Sequence, residues 1–144
     1  MNIKNSETEE INLTEIKELV VNVFKKQGCD ALNANALGNT ITNAERDGSS
    51  SHGLFRVPGY IASLQSGKVN GKSVPKVQKL TPVILKCNAD NGFASYAHEI
   101  SLPMLTEAAK LNGIAALSIT GCYHFAALWP ETEFLANENL VGLA

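Results

Sequence analysis

The residues best suited to chemistry lie in one short run, Ser51-His52-Gly53, which Arg56 follows. An imidazole exchanges protons near neutral pH, and a neighbouring hydroxyl can orient it or relay its proton. A guanidinium holds a carboxylate through two hydrogen bonds. If this stretch is helical, His52, Arg56 and Tyr60 share one face. The run therefore predicts an acid–base site that binds a carboxylate, while the pattern alone leaves open a capped helix with an interfacial histidine and a surface arginine.

A second candidate site is the loop from Gly121 to Pro130, in which aromatic side chains alternate with small ones. It follows an apolar run that is typical of a buried strand, and α/β folds bind ligands where their strands end. Small residues between aromatic ones would let a flat ligand approach the backbone. The alternative is an apolar connection that packs into the core.

Other kinds of site find less support in the sequence. The three histidines have no metal-ligand spacing, so no metal is expected, and His98 is predicted to be an exposed helical residue. Glu45, Arg46 and Asp47 could belong to a site, but such a triplet more often forms a solvated helix end. The sequence contains no GxSxG, no P-loop and no GxGxxG motif, so a nicotinamide cofactor would bind without the Rossmann fingerprint.

The composition is that of a globular domain and excludes several partners. Twelve basic and fourteen acidic residues give 144 residues a formal charge of -2, which offers no field for nucleic acid or an acidic membrane. No apolar run approaches the ~20 residues of a membrane helix, and the first ten residues lack the apolar part of a secretory signal. Three cysteines far apart, without a CxxC pair, indicate a reducing cytoplasm (Cys29, Cys87 and Cys122).

Three helices are predicted in the first half of the chain. Asn12 and Glu15 form a candidate capping box for the first helix, which runs to Gln27. Asp30 would cap a second helix to Arg46, whose small residues indicate close packing. A third covers most of residues 53–66, and Pro58 places its start near Val57 or leaves its first turn irregular. Residues 67–76 have the composition of a linker.

The second half of the chain alternates strands and helices, which predicts an α/β fold. The predicted elements, in order, are strands Val77 to Leu80 and Val83 to Cys87, a helix Phe93 to Leu111, a strand Ile114 to Ile119, a helix Glu131 to Asn139 and a buried strand Leu140 to Ala144. A buried strand normally leads into a turn, but the last predicted strand ends at Ala144, the last residue of the sequence. We therefore expect the chain to be the front part of a larger fold.

Two separated runs carry a family resemblance. The run from Ala44 to Tyr60, and the later His124-Phe125-Ala126-Ala127-Leu128-Trp129-Pro130, resemble the second malate/lactate dehydrogenase family, which comprises NAD(P)H-dependent oxidoreductases with a non-Rossmann cofactor fold. The later run is most similar to the reductases of delta-1-piperideine-2-carboxylate and delta-1-pyrroline-2-carboxylate. The resemblance covers the chain from about residue 13 to its end.

The resemblance implies a role for each matching residue. Ser51 would belong to a charge relay, His52 would be the proton donor and Arg56 would bind the substrate carboxylate. The cofactor-binding residues would be His124, Phe125, Ala126, Ala127 and Leu128. Tyr123 departs from the family pattern, since relatives often carry a second histidine there.

The resemblance also implies the organisation and function of the protein. Residues 1–70 would be an N-terminal helical segment with the Ser-His-Gly site, and residues 71–144 the first part of a truncated NAD(P)H-binding α/β domain. The expected function is reduction of a cyclic 2-imino acid by NADPH, or by NADH, in a cytoplasmic homodimer. The alternatives are a dehydrogenase of the malate, lactate or ureidoglycolate type, and an inactive fragment that acts only as an interaction module.

Overall fold

The computed structural model describes residues 10–144, and its first half is helical. The helices are α1 (Leu13–Lys26), α2 (Ala31–Arg46) and α3 (Val57–Gln65). The predicted capping box is confirmed. Asn12 Oδ1 accepts a 3.0 Å hydrogen bond from the Glu15 N–H, and a Glu15 carboxylate oxygen accepts one of 3.0 Å from the Asn12 N–H. These reciprocal bonds satisfy two N–H groups that a helix start otherwise leaves unpaired.

Close packing of α1 against α2 forms the core of this half, as the small residues of α2 predicted. A Cβ added at Gly38 would lie 2.6 Å from Val21 Cγ2, so only glycine allows this approach without movement of the neighbour. Phe24, Leu37 and Ile41 are almost completely buried in the same cluster. The contact between the two helices gives α2 a fixed position, and the end of α2 leads into the Ser-His-Gly run.

The third helix begins four residues after the start of the predicted range 53–66. Residues Leu54–Arg56 form a 3₁₀ turn, and α3 starts at Val57 with Pro58 in its first turn. Proline is tolerated there because the first N–H groups of a helix have no intrahelical acceptor. The start near Val57 is therefore confirmed. His52 lies in the turn before the helix, so the condition for a helical face shared by His52, Arg56 and Tyr60 is not met.

A three-stranded sheet forms the second half, which confirms the mixed α/β class. Strands β1 (Lys76–Thr81) and β2 (Ile84–Asn88) are antiparallel, and helix α4 (Ala94–Asn112) crosses over to β3 (Ala116–Thr120), which is parallel to β2. The predicted burial of the whole run from Ile114 to Ile119 is wrong. The strand starts two residues later, alternate residues are exposed, and Ile114 is 74% exposed.

Helix α5 (Trp129–Asn137) is the last regular element. The predicted strand from Leu140 to Ala144 is wrong. The Leu140 N–H instead donates a 2.9 Å bond to the Leu135 carbonyl at the end of α5, and Val141 is 96% exposed. A strand needs a partner edge, and no strand within residues 10–144 pairs with this segment.

Residues 67–76 are packed onto the helices although their composition is that of a linker. The Asn33 amide donates a 3.0 Å bond to the Ser73 carbonyl, and the Ser73 hydroxyl donates one of 2.7 Å to Asn33 Oδ1. The rings of Tyr60 and Phe93 also meet, with centroids 5.0 Å apart. Phe93 and Tyr123 of the second half therefore pack into the core of the helical half, while Cys87, Ala89 and Ala97 form a second buried cluster. Within residues 10–144, none of the helices has the length and apolarity that crossing a membrane requires.

Candidate functional site

His52 lies in a tight turn in which two serine hydroxyls face one ring nitrogen. Its ring Nδ1 is 3.0 Å from the Ser51 hydroxyl and 3.4 Å from that of Ser49. The backbone N–H of His52 donates to the Ser49 carbonyl. When a serine hydroxyl donates to Nδ1, the neutral ring carries its proton on Nε2. No hydrogen bond from residues 10–144 reaches Nε2, so this nitrogen is available to exchange a proton with a ligand.

Glu45, at the end of α2, supports this turn from beneath. One of its carboxylate oxygens accepts a 2.6 Å hydrogen bond from the Leu54 N–H. A Cβ at Gly53 would lie 1.9 Å from the same oxygen, so the turn approaches the carboxylate this closely only with glycine. A side chain at residue 53 would therefore displace the Glu45 carboxylate, which helps to hold the backbone that carries His52.

Arg56 is placed beside this turn by a hydrogen bond of its own side chain. The guanidinium Nε donates a 3.0 Å bond to the Ser51 carbonyl. Within the described part of the chain, neither terminal amine of the guanidinium has a hydrogen-bond partner. Those two amines form the pair that binds a carboxylate in a bidentate manner.

The second candidate, the loop between β3 and α5, bends sharply and joins this site. His124 and Ala126 have positive φ values of 57° and 64°, which residues other than glycine seldom adopt. The Ala126 N–H donates a 2.9 Å bond to His124 Nδ1, and the Tyr60 hydroxyl lies 3.2 Å from the same atom. The local bond compensates for the unusual backbone, and the long-range one attaches the loop to α3.

The electrostatic surroundings keep His124 neutral at pH 7. Burial lowers the pKa of His124, and electrostatic interactions with Arg56 and His52 lower it further. Burial raises the pKa of Tyr60, against a smaller opposing effect of Arg56. Tyr60 therefore keeps its O–H and donates it, Nδ1 of His124 accepts, and the proton of the His124 ring lies on Nε2.

The side chain of Trp129 packs against the ring of His52. Its indole meets the imidazole edge to face, with centroids 5.9 Å apart and planes at 81°, and the indole N–H donates a 2.8 Å bond to Asp47. Sequence reasoning treated Asp47 as part of a helix end and gave Trp129 no role. The polar triplet Glu45-Arg46-Asp47, which ends four residues before Ser51, was the available signal, but a contact across 82 residues has no spacing to reveal it.

His98 is not the exposed helical residue that its position predicts. Its Nδ1 lies 2.5 Å from a carboxylate oxygen of Glu131, and the two side chains are only 15% and 12% exposed. The pair lines a cavity of about 320 Å³ between α2, α4 and α5, to which Phe125 and Ala127 also contribute. The prediction failed because α5 covers this face of α4.

The loop between β3 and α5 presents apolar and small side chains against which a flat ligand could lie. Phe125 is 55% exposed and Leu128 half exposed, so both offer apolar surface to a ring. Ala126 has too small a side chain to keep a flat ligand from the backbone, and Ala127 is buried. The neutral His124 supplies a ring N–H. An apolar surface with a few placed polar groups is typical of cofactor pockets.

The described residues contain no metal-binding cluster, and their three cysteines are unpaired. No cluster of three His, Cys, Asp or Glu side chains within residues 10–144 is arranged to hold a metal ion. Cys29, Cys87 and Cys122 are free thiols. Burial raises the pKa of all three, that of Cys29 to about 11 with the help of Asp30, so each is protonated at neutral pH.

Comparison with known proteins gives concordant matches. The chain is 42% identical over 134 residues to delta(1)-pyrroline-2-carboxylate reductase 1 of Burkholderia ambifaria, covering 93% of this chain and 39% of that protein. It is similar in structure to delta1-piperideine-2-carboxylate reductase of Pseudomonas syringae, with a TM-score of 0.88 and 39% identity over 91% of this chain and 40% of that one. Malate dehydrogenase of Entamoeba histolytica matches with a TM-score of 0.84 and 26% identity, over 92% and 37%.

These matches confirm the resemblance carried by the two sequence runs. The chain spans about two fifths of the length of the relatives it matches. The profile of the family described as malate/L-lactate dehydrogenase matches residues 11–144, which is nearly the whole sequence. The chain therefore belongs to the malate/L-lactate dehydrogenase family.

Proposed function

We propose that the whole protein reduces a cyclic 2-imino acid, pyrroline-2-carboxylate or piperideine-2-carboxylate, with a nicotinamide cofactor. The observation that carries this proposal is the placement of two polar groups, Nε2 of His52 and the terminal amines of Arg56, near His124 in the loop between β3 and α5. The names of the relatives from Burkholderia ambifaria and Pseudomonas syringae support the substrate class.

Arg56 binds the carboxylate of the substrate. Its Nε is already engaged by the Ser51 carbonyl, so the terminal amines are the donors that remain for a ligand. A bidentate contact fixes both the position and the plane of a carboxylate. Because C2 is bonded directly to this carboxylate, the contact also fixes the carbon that is reduced. Binding a reacting carbon in one orientation is a large part of the rate that an enzyme can supply.

His52 supplies the proton. Its Nε2–H would donate to the nitrogen of the imine as C2 is reduced. Nδ1 would take up a replacement proton from the exposed Ser51 hydroxyl, which solvent reprotonates, so the ring stays neutral. General acid catalysis of this kind contributes about 10²–10⁴ in rate. Ser51 thus acts with His52 as a relay, as the family resemblance implies.

The loop residues His124, Phe125, Ala126, Ala127 and Leu128 would hold the nicotinamide, and we take NADPH as the cofactor, with NADH as the second choice. When bound, the reduced nicotinamide supplies a hydride. Phe125 and Leu128 exclude water from one side of the site, and the His124 N–H is a hydrogen-bond donor toward it. Tyr60 keeps this donor in place.

The proposal assigns the Ser-His-Gly site to residues 1–70 and the first part of the cofactor domain to residues 71–144. It also includes a homodimer and a cytoplasmic location. The relatives' remaining three fifths lie outside the match, so the other wall of the cofactor site would come from that part of the whole protein.

The second candidate function is reduction of an open-chain 2-oxo acid, such as a malate or lactate dehydrogenase performs in reverse. It is favoured by the family description and by the match to malate dehydrogenase. Arg56 and His52 would serve this reaction in the same way, with the proton going to a carbonyl oxygen. The third candidate is a catalytically inactive interaction module.

A substrate panel with the whole protein separates the three. We expect kcat/KM for piperideine-2-carboxylate or pyrroline-2-carboxylate to exceed that for pyruvate and oxaloacetate by about tenfold or more, since a site fitted to one substrate discriminates by this much or more. NADPH and NADH are compared in parallel. Turnover of the oxo acids alone would establish the second candidate, and no turnover with either cofactor would establish the third.

A further inference from the structure

One side of the His52 ring is covered by a residue to which the proposed reaction assigns no role. Trp129 meets the imidazole edge to face, while Ser51 and Ser49 hold its Nδ1. An imidazole turned by 180° about its Cβ–Cγ bond exchanges a nitrogen for a carbon at each position. The serine contacts select one of the two orientations, and the indole limits the tilt of the ring that remains.

Trp129 is itself fixed by Asp47. The indole N–H donates a 2.8 Å bond to Asp47 Oδ2, and the Arg46 guanidinium donates bonds of 2.7 and 2.9 Å to the two oxygens of the same carboxylate. Hydrogen bonds from Arg46, and then from Trp129, lower the pKa of Asp47, so the acceptor is ionised at neutral pH. A charged acceptor holds an N–H more strongly than a neutral one.

The same group of residues docks α5 onto the end of α2. Arg46 also donates bonds of 3.0 and 2.9 Å to the carboxylate of Glu133, one turn along α5 from Trp129. Trp129 directly follows Leu128, the last of the loop residues. The contacts of Arg46 and Asp47 at the end of α2 therefore hold the start of α5. That start directly follows the loop after β3, and its Trp129 packs against His52.

We infer that Trp129 is a positioning residue for His52, and that Asp47 acts on His52 through the indole N–H. The inference rests on the function proposed for His52, since it explains how the proton donor is held toward the substrate. It adds two residues, 82 positions apart in the sequence, to the single acid that the sequence motif indicates. Neither is assigned contact with substrate or cofactor.

The consequence is a loss of turnover without a loss of ligand affinity. Misplacing a catalytic group by about 1 Å costs up to about 10²-fold in rate. Trp129→Phe keeps a ring against His52 but removes the N–H, and Asp47→Ala removes its acceptor. In the whole protein we expect each to lower kcat by about three- to tenfold, with KM for both substrates within about twofold.

The experiment combines these variants with a direct view of the imidazole. The double variant Trp129→Phe/Asp47→Ala should lose no more activity than either single one, because both changes remove the same bond. Asp47→Asn keeps an oxygen acceptor and should recover most of the turnover. Glu133→Gln is the matched control. It changes the other partner of Arg46 and should leave turnover and His52 near wild type.

Nuclear magnetic resonance of the whole protein with labelled histidine supplies the second readout. We expect Trp129→Phe and Asp47→Ala to change the tautomer ratio of His52, and Glu133→Gln to leave it unchanged. Unchanged His52 signals in the first two variants, additive losses in the double variant, or an equal effect of Glu133→Gln would each overturn the inference. Shifted His52 signals together with full activity of His52→Ala would instead reject the proposed function and leave the positioning intact.

Discussion

The hydroxyl of Tyr60 lies 3.2 Å from Nδ1 of His124, although the two residues are 64 positions apart. Tyr60 belongs to α3, one turn after Arg56, and His124 lies in the loop between β3 and α5. The Ala126 N–H donates to the same nitrogen. This junction joins the residue proposed to bind the carboxylate to the loop proposed to bind the cofactor, and it fixes the tautomer of His124.

Removal of that hydroxyl tests the junction. Tyr60→Phe keeps the buried ring but takes a donor from Nδ1 of His124, which stabilises the neutral form, so the pKa of His124 should rise. We expect a weaker cofactor affinity in the whole protein and a higher His124 midpoint in a histidine titration. Tyr96→Phe, on α4, is the control and should change neither. An unchanged His124 midpoint in Tyr60→Phe would show that the bond has no influence.

His124 should also give the chain a stability that depends on pH. Burial and neighbouring positive charge lower its pKa in the folded state, whereas in the unfolded chain the pKa is about 6.5. Between the two values the unfolded state binds more protons, so the free energy of unfolding falls as the pH drops below about 6.5. Urea denaturation at pH 7.5 and 5.5 measures this loss. His124→Gln should show a smaller loss, and an equal loss would mean that His124 is not responsible.

Alanine substitutions at Gly53 and Gly59 compare a crowded glycine next to His52 with an uncrowded one in α3. Gly53→Ala places a Cβ where the Glu45 carboxylate binds the Leu54 N–H, and losing a bond to a charged group costs about 1.5–3 kcal/mol. Gly59→Ala, inside α3 with no atom within 4 Å of the new Cβ, should stabilise by about 0.5–1 kcal/mol. Denaturation of both variants is the measurement. Equal stability changes would contradict the close approach at Gly53.

Arg56 variants test the carboxylate anchor. Arg56→Ala should raise KM for the imino acid strongly, because no other group is assigned to its carboxylate. Arg56→Lys should rescue it only in part, since an ammonium cannot make the planar two-point contact. Steady-state kinetics at saturating cofactor measures both. A KM of Arg56→Ala equal to that of the wild type would exclude this role.

The sequence predicted those features of the fold that depend on neighbouring residues. The capping box at Asn12 and the restriction at Pro58 act within one turn, so the starts of α1 and α3 follow from them. The bond from Tyr60 to His124 joins distant segments, and no local pattern encodes it. The strand predicted from Leu140 failed for the same reason, because an apolar run becomes a strand only beside a partner edge.

In the candidate site, too, the sequence predicted contacts between neighbouring residues but not the long-range contacts. The types of Ser51 and His52 indicated acid–base chemistry, and their contact at 3.0 Å is between adjacent residues. The support beneath and beside them was not predicted. Glu45 reaches Leu54 across a turn, and Trp129 reaches Asp47 only after the sheet and α4 have brought α5 back to α2.

The central claim is that His52 donates the proton, and His52→Ala in the whole protein tests it most directly. The measurement is turnover of piperideine-2-carboxylate at saturating cofactor, with cofactor binding followed separately by fluorescence. We predict that kcat falls by about 10²-fold or more while the dissociation constant of NADPH stays within about twofold. A collapse of NADPH binding with normal turnover per bound cofactor would contradict the claim and make His52 a cofactor-binding residue.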